Sequence, residues 1–244
     1  MQETNPHLVC SDANGVRSLT LNRPERRNAM NCALAEALLT ALRQANSDPS
    51  IGAILLAGNG SVFCAGADLG EFRGELSDAN AEARRSDIFV DLQLVFDELD
   101  IPVVCALEGA AIGAGASLAI SADITVMGQE ARLAYPEILH SMVPGLMIAQ
   151  LQRRTGRKLA FELLAMGQSM DAQAALVSGL ANRVVTAGQA SAIASEIAAT
   201  LASRSRAAIR ETKRLFVDHA QASPREALLA ARRAARDRID RVGK

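Results

Sequence analysis

Two segments of this chain crowd small residues together where a backbone can meet a ligand, and a third sets a carboxylate among apolar neighbours. The first is Gly58-Asn-Gly-Ser-Val-Phe-Cys-Ala-Gly-Ala-Asp-Leu69, which follows an apolar run and precedes a helix start. Ala65, Gly66 and Ala67 let a ligand approach the backbone and leave N–H groups accessible. The plainer reading is a turn in which Asp68 caps the next helix. The second, Gly109-Ala-Ala-Ile-Gly-Ala-Gly-Ala-Ser117, is again a glycine-rich turn opening into a helix. The third is Ala134-Tyr-Pro-Glu-Ile-Leu-His-Ser-Met-Val-Pro-Gly145. Pro136 and Ile138 flank Glu137 there, and partial desolvation raises a carboxylate's pKa towards the range useful for a general base. Taken alone, such a glutamate is more often solvated, and His140 is more often a surface or satisfied core histidine than a ligand.

Other chemistries fit less well. The G-x-x-x-G-x-G spacing from Gly109 to Gly115 occurs in dinucleotide-binding folds, where helix N–H groups hold a pyrophosphate. That fingerprint follows the first strand of a chain, whereas here it lies almost halfway along. Tyr135 has Leu139 rather than Lys four residues later, so the Tyr-Lys pair of a nucleotide-dependent reductase is absent. Gly115-Ala-Ser-Leu-Ala119 loosely mimics a nucleophile elbow, with His140 or His219 as base. An elbow serine sits at the turn after a strand, whereas Ser117 falls inside the following helix. No His, Cys and Asp residues have metal-ligand spacing.

The elements that must position these segments follow from periodicity and turn residues. His7 to Asn22 reads as two strands joined by Asn14-Gly15, a dipeptide that tolerates positive φ. Asn31 caps a helix to about Ala45, with Leu34, Leu38, Ala41, Leu42 and Ala45 on one stripe. Ile51 to Ala57, Pro102 to Leu107 and Asp123 to Met127 are buried strands, so strands alternate with helices in an α/β core with parallel pairing. From Gly145 onward only Arg183 to Thr186 reads as a strand. Arg-rich helices follow at about Ser203 to His219 and Pro224 to Arg241, separated by Ser223-Pro224, a helix start. Residues 1–190 are thus expected as the core and 191–244 as a helical C-terminal region. The polar segment Gly70 to Arg85 reads as a mobile loop.

Composition excludes several classes. The chain has 244 residues, 49% apolar and only 3% aromatic, so it can bury a full core of closely packed small side chains. A net charge of -1 supplies no global field for nucleic acid or an anionic membrane. The apolar stretch Pro102 to Gly128 holds Glu108, Asp123 and several glycines, so it reads as strand, turn, helix and strand rather than a membrane span. Cys10, Cys32, Cys64 and Cys105 form no C-x-x-C pair and come without a signal peptide, which favours a reduced, cytoplasmic setting.

Taken in order, Asn22-Arg-Pro-Glu-Arg-Arg-Asn-Ala-Met-Asn31, Phe63-Cys-Ala-Gly-Ala-Asp68, Glu108-Gly-Ala-Ala-Ile-Gly-Ala-Gly-Ala116 and Tyr135-Pro-Glu-Ile138 resemble the enoyl-CoA hydratase/isomerase (crotonase) family. The resemblance covers nearly the whole chain, including the later run Ala172 to Val185. It implies a crotonase-like α/β spiral of repeated ββα units with a C-terminal helical trimerisation region, assembled as a homotrimer or homohexamer. It also implies an acyl-CoA substrate whose enolate is held in an oxyanion hole made by the N–H groups of Ala65 and Ala114, with Glu137 as base. Arg26, Arg27 and Asn28 would line the CoA path, and Ala67, Asp68, Leu69, Ser117, His140 and Gly145 the substrate site. Two preorganised donors in a dry site lower such a barrier by about 3 kcal/mol each. No metal or separate cofactor is implied, because coenzyme A is part of the substrate.

One departure bears on the reaction. Hydratases that resemble this chain carry a second glutamate where Ser117 stands. Hydration must activate water and protonate carbon, work that two carboxylates share, whereas a 3-enoyl to 2-enoyl shift needs one base. The expectation is therefore an isomerase. The alternatives are a hydratase, with Ser117 or His140 positioning water, and an inactive acyl-CoA-binding trimeric scaffold. Leu146-Met-Ile-Ala149 stands where the family often has glycines, so the acyl pocket or helix start is reshaped. The chain also ends soon after Arg241, which implies a more open CoA site; the Arg-rich helices read as a solvated face or as charge offered to a neighbour's CoA phosphates.

Overall fold

The computed structural model describes residues 6–74, 79–220 and 222–242. Strands β1 (Leu8–Ala13) and β2 (Val16–Leu21) form the expected antiparallel hairpin. Asn14 at φ 52 and Gly15 at φ 75 are both left-handed, which matches a two-residue loop to the twist of its strands. A 3-10 turn at Pro24–Arg26 leads to α1 (Cys32–Ser47), where Asn31 Oδ1 accepts the Leu34 N–H at 3.0 Å. Next come β3 (Ala53–Gly58), α2 (Leu69–Gly74) and α3 (Ala79–Glu98). The segment Gly70 to Arg85, expected as a loop, is therefore helical on both sides, and residues 75–78 lie outside the described ones. Its polar residues misled because polarity alone does not separate a helix from a loop.

The second half alternates long and short strands: β4 (Val103–Leu107), β5 (Ala110–Ile112), α4 (Ala114–Ser121), β6 (Ile124–Gly128) and β7 (Arg132–Ala134). Helices α5 (Gly145–Thr155) and α6 (Arg157–Met166) follow, then β8 (Ser169–Asp171), α7 (Ala172–Val177) and β9 (Arg183–Val185). The chain closes with α8 (Ala190–Ala202), α9 (Arg206–His219) and α10 (Pro224–Val242). The large sheet has the order β1-β2-β3-β4-β6-β9, parallel from β2 onward, and β5-β7-β8 form a smaller sheet. From β4 onward, successive strand pairs β4/β5, β6/β7 and β8/β9 thus place one strand in each sheet, as a spiral requires. Strand β8 corrects the expectation of a single strand beyond Gly145, because a three-residue strand is too short to show a period.

Alternation along the strands serves two layers. Ile54, Leu56, Val103 and Cys105 face the main core with α1 and α3, while Ala53, Leu55, Val104 and Ala106 meet Ala190, Ala194 and Ala198 of α8 on the other face. Alanines four apart let α8 lie close: a β-carbon on Gly52 would fall 2.9 Å from Ala202 Cα. Helix α9 is tied down by charge. Lys213 Nζ donates to Ile101 O at 3.1 Å and to Asp123 Oδ2 at 2.7 Å, and Arg210 pairs with Asp100 at 2.9 Å. Arg206 donates to the carbonyls of Asn46 and Asp48. Part of the basic face expected to be solvated therefore holds the C-terminal region to the core. Among the described residues no helix is long and apolar enough to cross a membrane.

Candidate active site

The loop after β3 is threaded between two neighbours. On one side Cys64 bridges to β5, donating to Ala110 O at 3.2 Å and accepting from Ile112 N–H at 2.9 Å. On the other, the Ala65 N–H donates to Arg27 O at 2.9 Å, Met30 N–H donates to Gly66 O at 2.7 Å, and Asp68 N–H donates to Met30 O at 2.9 Å. The expected role of Ala65 as donor is corrected by this ladder, because its N–H is already committed to Arg27. Gly66 carbonyl and Asp68 N–H both face Met30, so strand alternation turns the intervening Ala67 N–H to the opposite edge. It meets no acceptor among the described residues.

Gly66 (φ +92) presses this loop against the start of α4. A β-carbon there would fall 2.8 Å from Ile112 O and 3.8 Å from Ala114 N. Gly113, also at positive φ (52), donates its N–H to Ala134 O at 2.8 Å and accepts from Ser117 N–H at 2.9 Å, closing the first helical turn. Ala114 begins α4, and its N–H has no acceptor among the described residues. An open helix N-terminus favours negative charge.

Glu137 opens a 3-10 turn, Glu137–His140, directly after Pro136. A β-carbon on Gly113 would lie 2.1 Å from Glu137 Oε1, so the carboxylate rests on the residue that precedes Ala114. Glu137 Oε2 is buried without a hydrogen-bond partner. Burial pushes the carboxyl's pKa above its ordinary value, against smaller lowering effects of a backbone hydrogen bond and the charge of His140. The structure thus brings together one desolvated carboxylate and two unengaged N–H groups.

Other expected residues divide by what their side chains do. Asn28 is fully buried: Oδ1 accepts Arg23 N–H at 2.8 Å, and Nδ2 donates to Asn59 O and Val62 O, each at 2.8 Å. Asp68 pairs with Arg23 at 3.0 Å and accepts Gly70 N–H at 3.0 Å, so its carboxylate serves the loop, as the capping alternative has it. Both side chains are engaged with the fold rather than offered to a substrate. Arg26 and Arg27 are exposed, as are Leu69, His140 and Gly145, the first residue of α5. Ser117 is buried in the first turns of α4, and its Oγ has no partner. Cys64 beside the loop is inert, since burial pushes its thiol up to about 12. No group of three His, Cys, Asp or Glu side chains among the described residues has the arrangement to hold a metal.

Sequence reasoning passed over Tyr135 as a site residue. It is fully buried, and its hydroxyl has no partner. Its one signal was being the chain's single tyrosine, directly before Pro136-Glu137.

The fold and site define a mixed α/β protein with a buried carboxylate beside open backbone N–H groups, a combination of enzyme type. The model of the family described as Enoyl-CoA hydratase/isomerase matches residues 11–240. The 2,3-dehydroadipyl-CoA hydratase of Escherichia coli is 36% identical over 207 residues, spanning 84% of this chain and 80% of that protein. An enoyl-CoA hydratase structure from Mycobacterium smegmatis superposes with a TM-score of 0.90 at 32% identity, covering 96% of this chain and 91% of that one. One from Bacillus anthracis gives 0.89 at 28% identity, with 96% and 91% covered. The chain belongs to the enoyl-CoA hydratase/isomerase family and has its crotonase fold.

Proposed function

We propose that this enzyme isomerises 3-enoyl-CoA to 2-enoyl-CoA, with Glu137 as its single base and the N–H groups of Ala67 and Ala114 as oxyanion donors. The observation that carries the reading is the Glu137 carboxylate, buried with an unpartnered Oε2 and seated on Gly113 beside the open N–H of Ala114. The thioester oxygen accepts from both N–H groups. Glu137 takes a proton from C2, the electron pair spreads into a dienolate, and the same carboxyl returns the proton to C4 as the double bond moves to C2–C3. Each donor stabilises the enolate by about 3 kcal/mol. Burial aids the proton transfer by bringing the pKa of Glu137 closer to working pH. Arg26 and Arg27, exposed near the loop, supply charge for the CoA phosphates.

The reaction moves one proton and asks for no separate cofactor. For the assembly we favour a homotrimer or homohexamer, supported by the exposed apolar side chains Phe216 of α9 and Leu228 of α10; the free thiols of Cys10, Cys32, Cys64 and Cys105 support a reducing, cytoplasmic setting.

Hydration of 2-enoyl-CoA is the second reading, favoured by the hydratase name of the Escherichia coli relative. Purified protein assayed with both 2-enoyl-CoA and 3-enoyl-CoA separates the two. Double-bond migration faster than hydration is expected; fast hydration without migration would overturn the isomerase.

A further inference from the structure

Two donors hold one oxygen only if both N–H groups come within about 2.7–3.1 Å of it. Here the donors stand on separate segments, Ala67 on the loop after β3 and Ala114 at the start of α4, so whatever packs between those segments sets their spacing. Cys64 packs there. Its backbone joins the loop to β5 through the parallel bridge with Ala111. Its side chain, fully buried, lies directly against α4: a β-carbon on Gly115, the residue after Ala114, would fall 2.7 Å from Cys64 Cβ and 2.9 Å from Sγ. The same sulfur accepts the Gly66 N–H, one residue before Ala67. One side chain thus touches the chain neighbour of each donor.

Burial holds this thiol protonated, so it is closed to nucleophilic chemistry and brings no charge to oppose a developing enolate. What it supplies is volume and an acceptor. We propose that Cys64 is a positioning residue for the oxyanion hole: its sulfur, set between Gly66 and Gly115, fixes the separation of the Ala67 and Ala114 N–H groups. Without the sulfur a cavity opens into which the loop or the helix settles, because close-packed interiors relax around lost volume. A small displacement of either donor weakens a hydrogen bond that is strongest in the transition state, so the loss falls on turnover more than on substrate binding.

The inference rests on the two-donor reading of the site, and bound acetoacetyl-CoA tests the two separately. Its α-carbon loses a proton to give an enolate with an ultraviolet absorbance of its own, so a pH titration of the bound thioester reads enolate stabilisation without turnover. Wild-type protein is expected to lower the pKa of acetoacetyl-CoA on binding. Cys64→Ala leaves a gap and Cys64→Val crowds Gly115. Each should raise the bound pKa by about one unit above the wild-type value and lower kcat about tenfold, on whichever enoyl-CoA the enzyme turns over, with little change in KM. Cys64→Ser keeps an acceptor for Gly66 and nearly the same size, so it should recover most of both losses; circular dichroism confirms that the variants fold. A merely structural role would lower the folded fraction and leave the bound pKa where it is. A folded Cys64→Ala or Cys64→Val with the wild-type bound pKa, or a Cys64→Ser as impaired as Cys64→Ala, overturns the inference. If wild-type protein binds acetoacetyl-CoA without lowering its pKa, the two-donor reading falls, and this inference with it.

Discussion

Glu137 rests on Gly113 so closely that a β-carbon there would fall 2.1 Å from Oε1. Gly113 immediately precedes the open N–H of Ala114, so the carboxylate and that N–H are located by one residue. Gly113→Ala must displace the carboxylate and also strains a backbone at φ 52. We expect kcat/KM to fall by about 100-fold or more, as for small misplacements of catalytic groups. Wild-type turnover by a folded Gly113→Ala protein would show that the carboxylate is not needed where it sits.

Glu137→Gln keeps the shape and removes the proposed base. Isomerisation, and exchange of the C2 proton with deuterated solvent, should fall by about 10²- to 10⁴-fold while acyl-CoA binding changes little. Unchanged exchange, read by NMR, would assign the proton transfer elsewhere.

The pH profile carries a sign. Burial raises the pKa of Glu137 above 4.5, and only the ionised form is a base, so kcat/KM should climb with pH along an acid limb lying above 4.5. The charge of His140 opposes that shift, so His140→Gln should move the limb to still higher pH. Stability follows the opposite course. A carboxyl whose pKa is raised on folding stabilises the fold at low pH, and that contribution is lost as pH rises from the ordinary carboxylate range through the raised value. Glu137→Gln should flatten this slope in urea titrations, and an unaltered slope would contradict the assignment.

Asn28 predicts a stability effect. Its side chain makes three hydrogen bonds in full burial, joining Arg23 to Asn59 and Val62 at the base of the donor loop. Asn28→Ala should cost about 2–4 kcal/mol by thermal or urea unfolding, since it leaves buried partners unpaired. A loss under about 0.5 kcal/mol would mean that other groups or water replace them.

Much of the scaffold was legible because its causes are local. Asn14-Gly15 turns a hairpin through its own positive φ, Asn31 caps α1 with its own side chain, and the runs behind β3, β4 and β6 are apolar enough to be buried. The resemblance carried by Phe63–Asp68, Gly109–Ser117 and Tyr135–Ile138 implied which segments meet. Strands β5, β7 and β8 escaped notice because each has three residues and takes its identity from neighbours distant in sequence.

The site shows the same division more finely. From the sequence, the order of the motifs and their resemblance to the crotonase family pointed to Glu137 and two glycine- and alanine-rich turns as parts of one site. Only the tertiary structure decided which loop N–H is free. Ala65 and Ala67 are alike in composition, but Arg27 takes the N–H of Ala65, while pairing with Met30 turns that of Ala67 to the opposite edge. Likewise Asn28 and Asp68 look like ligand groups until Arg23 is seen to engage both. A hydrogen bond removes a donor from chemistry, and the acceptors that do so here come from the chain some forty residues upstream, beyond the reach of any local pattern.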